Sequence, residues 1–128
     1  MTYNISRKTN GDFEAVISRV KDALKTEGFG VLTEIDVAGT LKAKIGKEFR
    51  PYRILGACNP NYAFEALSEE PHIGVMLPCN VIVQRYDNGE VEVSSIDPAT
   101  AMQAVGNAKL SAVADQVRAA LKRVVEAV

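Results

Sequence analysis

Two cysteines carry the clearest chemical potential in this chain, and they stand in the segments Cys58-Asn59-Pro60 and Pro78-Cys79-Asn80. A thiolate is a nucleophile and a soft metal ligand, and it is stabilised where unpaired backbone N–H groups and a helix dipole point at the sulfur. Asn59-Pro60 is a cap residue followed by proline, so the spacing predicts a helix starting beside Cys58. Cys58 is therefore the candidate catalytic nucleophile, with Cys79 as its resolving partner or neighbour. If the strand that ends at Cys58 pairs antiparallel with the strand that begins near Cys79, the two thiols meet. The opposing expectation is that both are small core residues. Cys58 shares a strand face with Ile54, and Cys79 shares one with Val81 and Val83.

The sole histidine, His72, precedes Cys79 by seven residues. Cys58, His72 and Cys79 are weak metal candidates, because the spacing holds no close pair of ligands and no fourth ligand is evident. A second constellation is basic. Lys42, Lys44, Lys47, Arg50 and Arg53 are offset locally by Glu48 alone, and with Asn59 at a helix start they could bind a phosphate or carboxylate. The alternative is a solvated face balanced by Glu34, Asp36, Glu69 and Glu70. Glu34 and Asp36 could also form an acid–base pair if a cleft received them. Gly28-Phe29-Gly30 follows a helix and precedes a strand, the reverse of a nucleotide-binding turn. No P-loop, HExxH or nucleophile-elbow motif is present.

These residues need elements to position them. Tyr3 and Ile5 alternate with polar neighbours as in a strand, and Asp12 caps an amphipathic helix over 12–27 that Gly28 ends. Val31, Thr33, Ile35 and Val37 alternate with Leu32, Glu34 and Asp36, which predicts a strand with both carboxylates on its outer face. Residues 37–45 read as a weak helix, 52–58 as a strand and 61–69 as a short helix. Residues 80–86 and 90–96 flank Asp87-Asn88-Gly89 and form the strongest hairpin signal. Asp97-Pro98 opens a helical region that Gly106 interrupts and that continues as a long amphipathic helix through Val124. The order predicts an α+β fold with two layers, a mainly antiparallel sheet and helices on one face. A doubly wound sheet fits less well.

With 128 residues, 47% of them hydrophobic and 24% charged, the chain suits a single domain over 1–128 built on one core. A net charge of −1 lacks the basic excess that displaces counterions from phosphate, which argues against a nucleic-acid partner. No signal peptide precedes the strand reading of Met1 to Ile5, no apolar run approaches a membrane span, and two cysteines do not make a disulfide scaffold. The expected location is cytoplasmic, with reduced thiols.

Several segments together carry a resemblance. They are Gly28-Phe29, Glu34-Ile35-Asp36-Val37, Cys58-Asn59-Pro60, Leu77-Pro78-Cys79-Asn80-Val81 and Asp97-Pro98. Over nearly its whole length the chain resembles the family of domains of unknown function numbered three hundred and two, the TT1751-like proteins. The resemblance implies a β-α-β-β-β-β-α core similar to the TATA-box-binding-protein-like fold, with the two small helices as insertions, and it implies a homodimer. It supplies no activity, cofactor or catalytic residue.

Two function classes follow. One is a small-ligand-binding or thiol-dependent module using Cys58 and Cys79, with the basic segment orienting an anionic group. The other is a non-enzymatic homodimeric interaction domain with both cysteines in the core. Metal binding ranks third, and no motif decides whether the chain is an enzyme.

Overall fold

Side-chain caps set the helix boundaries. Asp12 accepts a hydrogen bond from the Ala15 N–H at 3.0 Å and opens α1 (Phe13–Thr26), whose residues Phe13, Val16, Ile17, Val20 and Leu24 are buried. Asp36 likewise accepts from the Gly39 N–H and opens α2 (Val37–Ile45), which buries none of its residues. Asn59 opens α3 (Pro60–Glu69) and Asp97 opens α4 (Pro98–Gln103), each with proline at the start. The long α5 (Ser111–Glu126) follows a 3-10 turn at Ala108–Leu110 and buries Val113, Ala114, Val117, Ala120, Leu121, Val124 and Val125. Its 3.6-residue apolar stripe is the one that the sequence periodicity marks. The computed structural model describes residues 2–128, so Met1 lies outside the described residues.

The strands are β1 (Asn4–Thr9), β2 (Gly30–Asp36), β3 (Tyr52–Cys58), β4 (Cys79–Arg85) and β5 (Val91–Ile96). They form one antiparallel sheet in the order β1-β5-β4-β3-β2. The β4–β5 hairpin turns at Asp87-Asn88-Gly89, where Gly89 takes φ +89°, a conformation that glycine adopts without a Cβ clash. Leu55, Ala57, Val81, Val83, Val91 and Val93 point to one face and pack against α1 and α5 in the main core. A smaller cluster of Ala66, Ile73 and Leu110 lies beside it, with Leu77, Met102 and Val105 packed against it. The fold is thus the expected two-layer α+β arrangement.

The helical region from Asp97 is interrupted around Gly106, as expected, and is divided into α4, the 3-10 turn and α5, while a further 3-10 segment at Pro71–Met76 follows α3. One local expectation is corrected. On β2 the register shifts between Val31 and Thr33, so that Val31 lies opposite Ala57, Thr33 opposite Gly56 and Glu34 opposite Leu55. This bulge exchanges the faces of every later residue in the strand. Glu34 therefore turns toward the helices, where it meets Lys21 of α1 at 2.7 Å and Arg53 at 2.6 Å, and Ile35 is left exposed. The two carboxylates do not lie on the outer face as the alternation predicts. One anchors a salt-bridge cluster and the other caps α2.

Candidate functional site

Antiparallel pairing of β3 with β4 sets Ala57 opposite Cys79, which makes Cys58 and Cys79 neighbours across the end of the sheet. There the sheet stops and the helical layer continues over α3, the Pro71–Met76 segment, α4 and α5. Between them lies a cavity of about 370 Å³. Its sheet wall is Ala57, Cys58 and Cys79, with Pro78 and Leu77 behind them. Tyr62, Ala63, Ala66 and Leu67 of α3 and Ile73 and Gly74 of the 3-10 segment form a second wall. Pro98 and Met102 of α4, with Leu110, Val113, Ala114 and Val117, complete the floor, and Leu32 at the β2 bulge reaches the mouth. The volume falls in the range of small-molecule sites.

The empty space has a sequence origin. Ala63, Ala66 and Ala114 occupy inward positions where an apolar stripe ordinarily presents larger side chains, and Gly74, exposed on the rim, adds no side chain over the opening. Asn59 fixes the position of the α3 wall. Its Oδ1 accepts the N–H groups of Asn61 at 3.1 Å and Tyr62 at 3.4 Å, while its Nδ2 donates to the Glu27 carbonyl at 3.4 Å. Asp97 holds the α4 wall. Its Oδ1 accepts from the Ala99 and Thr100 N–H groups, and its Oδ2 accepts from Arg118 Nε at 3.0 Å.

The two thiols are half-buried and free. Burial, and secondarily the neighbouring Cys58, pushes the Cys79 thiol up to about 11. Cys79 is therefore protonated at neutral pH. A raised thiol pKa withholds the thiolate until the pH approaches that value. In a Cys58→Ser protein, alkylation of Cys79 by iodoacetamide should run about a hundredfold slower at pH 8 than that of a free thiol. It should also accelerate about tenfold per pH unit up to roughly pH 10. Mass spectrometry of timed samples reads both values, and a rate like that of a free thiol would place Cys79 in contact with solvent.

The other sequence candidates lie elsewhere. None of Lys42, Lys44, Lys47, Arg50 and Arg53 lines the cavity. Arg53 is held by Glu14 at 2.7 Å and Glu34 at 2.6 Å, and its guanidinium lies 5.7 Å from the centre of the Phe13 ring. The hydrogen bonds and charges of Lys21 and Arg53 keep the Glu34 carboxyl below its ordinary range. Arg50 donates to Gln84 Oε1 at 2.8 Å and stacks 4.5 Å from the Phe49 ring, with Tyr52 and Tyr86 close by. Lys42 pairs with Glu48, while Lys44 and Lys47 face solvent. His72 is exposed, with its Nδ1 3.8 Å from Glu70, and it does not join the cysteines in the cavity. Among the described residues no group of three or more His, Cys, Asp or Glu side chains is placed to hold a metal ion.

Fold and site together define a small two-layer α+β domain with an apolar cavity at the open end of its sheet. The family described as Domain of unknown function DUF302 matches residues 5–128, and the chain belongs to that family. The crystal structure of an uncharacterized conserved protein of this family from Bacillus stearothermophilus is similar to it, with a TM-score of 0.92 at 25% identity over 98% of each chain. No curated protein matches the chain. These relationships establish the family and the fold and assign no activity. Among the described residues no helix is long and apolar enough to cross a membrane.

Proposed function

We propose that this domain binds a small apolar molecule in the cavity between the sheet end and α3, α4 and α5, with Cys58 and Cys79 in its wall. The observation that carries this reading is the lining itself, about 370 Å³ of space bounded by aliphatic and aromatic groups and the two thiols. Apolar surface of this kind gains free energy when a ligand removes it from water. Cys58, at the start of α3, is the residue through which a thiol-dependent step would act.

Filling the cavity tests the reading. Gly74 has no left-handed φ, and a Cβ placed there meets Leu67 at 3.9 Å, an ordinary contact. Gly74→Leu should therefore fold normally while occupying the space a ligand needs. The neutral dye N-phenyl-1-naphthylamine should fluoresce on binding to the native protein, and Gly74→Leu should weaken that binding at least tenfold with little change in melting temperature. Equal binding by the two proteins would move the dye, and the proposed function, away from this cavity.

A second reading, a homodimer, is favoured by the apolar rim. Phe64 is 76% exposed, Val75 85% and Leu67 44%, all on α3 and the segment that follows it. If a second copy covers this rim, dye affinity should fall as protein concentration rises.

A further inference from the structure

The cavity has a property more specific than its apolarity, namely that none of its twenty lining residues is Asp, Glu, Lys, Arg or His. The places from which an anion is ordinarily held are also occupied. At the start of α3, the N–H groups of Asn61 and Tyr62 are already taken by the Asn59 side chain. The guanidinium of Arg123 is bound through two nitrogens to Glu27 Oε1, at 3.0 and 2.8 Å. Cys79 carries its proton and offers only a weak S–H donor. A carboxylate or phosphate entering this space would lose its hydration and find no countercharge, since the only side chains in the lining that bear nitrogen or oxygen are the neutral Asn59 amide and Tyr62 hydroxyl, and an unpaired buried charge is the costliest occupant of an apolar site.

We propose that the ligand of this cavity is uncharged: a hydrocarbon-rich molecule, a single chain or a pair of fused rings, with no ionised head group. This inference rests on the reading of the cavity as a binding site and names the chemical class that the site takes. Size limits the class further. An apolar protein cavity of about 150 Å³ accommodates benzene. By that scale the volume here takes about fifteen carbons, so the sixteen-carbon dye fills it and reaches into the open mouth. Any weakly polar end of the ligand, a hydroxyl or an ester, belongs at the mouth between Leu32 and Leu67, which are 68% and 44% exposed.

The test is displacement of N-phenyl-1-naphthylamine from the native protein at pH 8 by two ten-carbon competitors, 1-decanol and decanoate. Decanol should displace the dye at a free concentration at least thirtyfold below that needed for decanoate. A Leu67→Arg variant, whose new side chain starts at the half-exposed mouth and keeps its charge in water, should improve displacement by decanoate at least tenfold and leave decanol nearly unchanged. Decanoate that competes as well as decanol on the native protein would overturn the assignment, because the site would then hold an anion by some group. Decanol that fails to displace a dye which Gly74→Leu excludes would overturn it too. A dye that does not bind the native protein at all would remove the binding reading itself, a result distinct from both. Dye affinity that falls as protein concentration rises would give the mouth to a second copy and likewise overturn it.

Discussion

Gly56→Ala should destabilise the domain by about 2–3 kcal/mol although it adds only a methyl group to a half-polar face of the sheet. Gly56 lies in the middle of β3, flanked by Thr33 of β2 and Asn80 of β4. A Cβ at this position would overlap the Thr33 hydroxyl and would stand 2.8 Å from Cγ of Pro78. Thr33 is paired with β3, and Pro78 immediately precedes Cys79, the first paired residue of β4, so neither can move far without disturbing pairs. Alanine would recover the roughly 0.5–1 kcal/mol of backbone entropy that glycine forfeits in a strand, but overpacking of this kind outweighs that gain. Urea denaturation measures the loss. In a double-mutant cycle, Thr33→Ala should restore part of the stability of Gly56→Ala, with a coupling of about 1 kcal/mol, because it removes one of the two obstacles and leaves Pro78 in place. An unchanged unfolding midpoint for Gly56→Ala would mean that β2 and β3 are not packed as described.

The second large effect is expected at Asp97, a buried carboxylate with three hydrogen-bond donors converging on it. Asp97→Ala removes the cap of α4, about 1 kcal/mol, and strips Arg118 of its partner, a pair discounted here because the Arg118 side chain is 42% exposed. Together with the cost of the N–H groups left unpaired, the loss should reach about 2–3 kcal/mol. Asp97→Asn should retain the cap and lose only about 1 kcal/mol. The same variants separate structure from function. Since Pro98 and Met102 belong to the cavity floor, Asp97→Ala should weaken dye binding, whereas Asp97→Asn should leave it nearly intact. Equal destabilisation by the two substitutions would show that the ion pair, and not the cap, holds α4.

Most of the architecture was legible in the residues, because the signals are local. The Asp12, Asn59 and Asp97 caps, the prolines behind two of them, the Asn88-Gly89 turn and the two long apolar stripes each act within a few positions of themselves. The antiparallel meeting of Cys58 and Cys79 followed from the ends of two strands. The bulge beside Leu32 was not legible, since the alternation from Val31 to Val37 is equally regular with or without it, and only the pairing with β3 decides which side each residue faces. The cavity was hidden for a related reason. It arises where alanines and a glycine from α3, the 3-10 segment and α5 converge, and no single segment shows that their missing volume adds up in one place. The basic run was visible as composition, whereas its division into an ion-pair cluster around Arg53 and an aromatic stack around Arg50 depends on strands distant in sequence.

The sheet order has a consequence for how the chain comes together. Strands β2 to β5 each lie beside the strand that neighbours them in sequence, so they can be laid down progressively. β1 cannot join in that way. Asn4 lies opposite Ile96 and Thr9 opposite Val91, so the first strand to be synthesised must wait for the last before it has a partner. Closing so long a loop carries an entropy cost that only a largely formed neighbour can offset. Throughout that interval the segment Asn-Ile-Ser-Arg-Lys-Thr offers unpaired backbone to any exposed strand nearby. Its single large aliphatic residue, Ile5, and its adjacent charges, Arg7 and Lys8, make it a poor template for such mispairing. The polarity of β1 therefore protects the chain before the fold exists, at a stage when the cavity and its walls have yet to form.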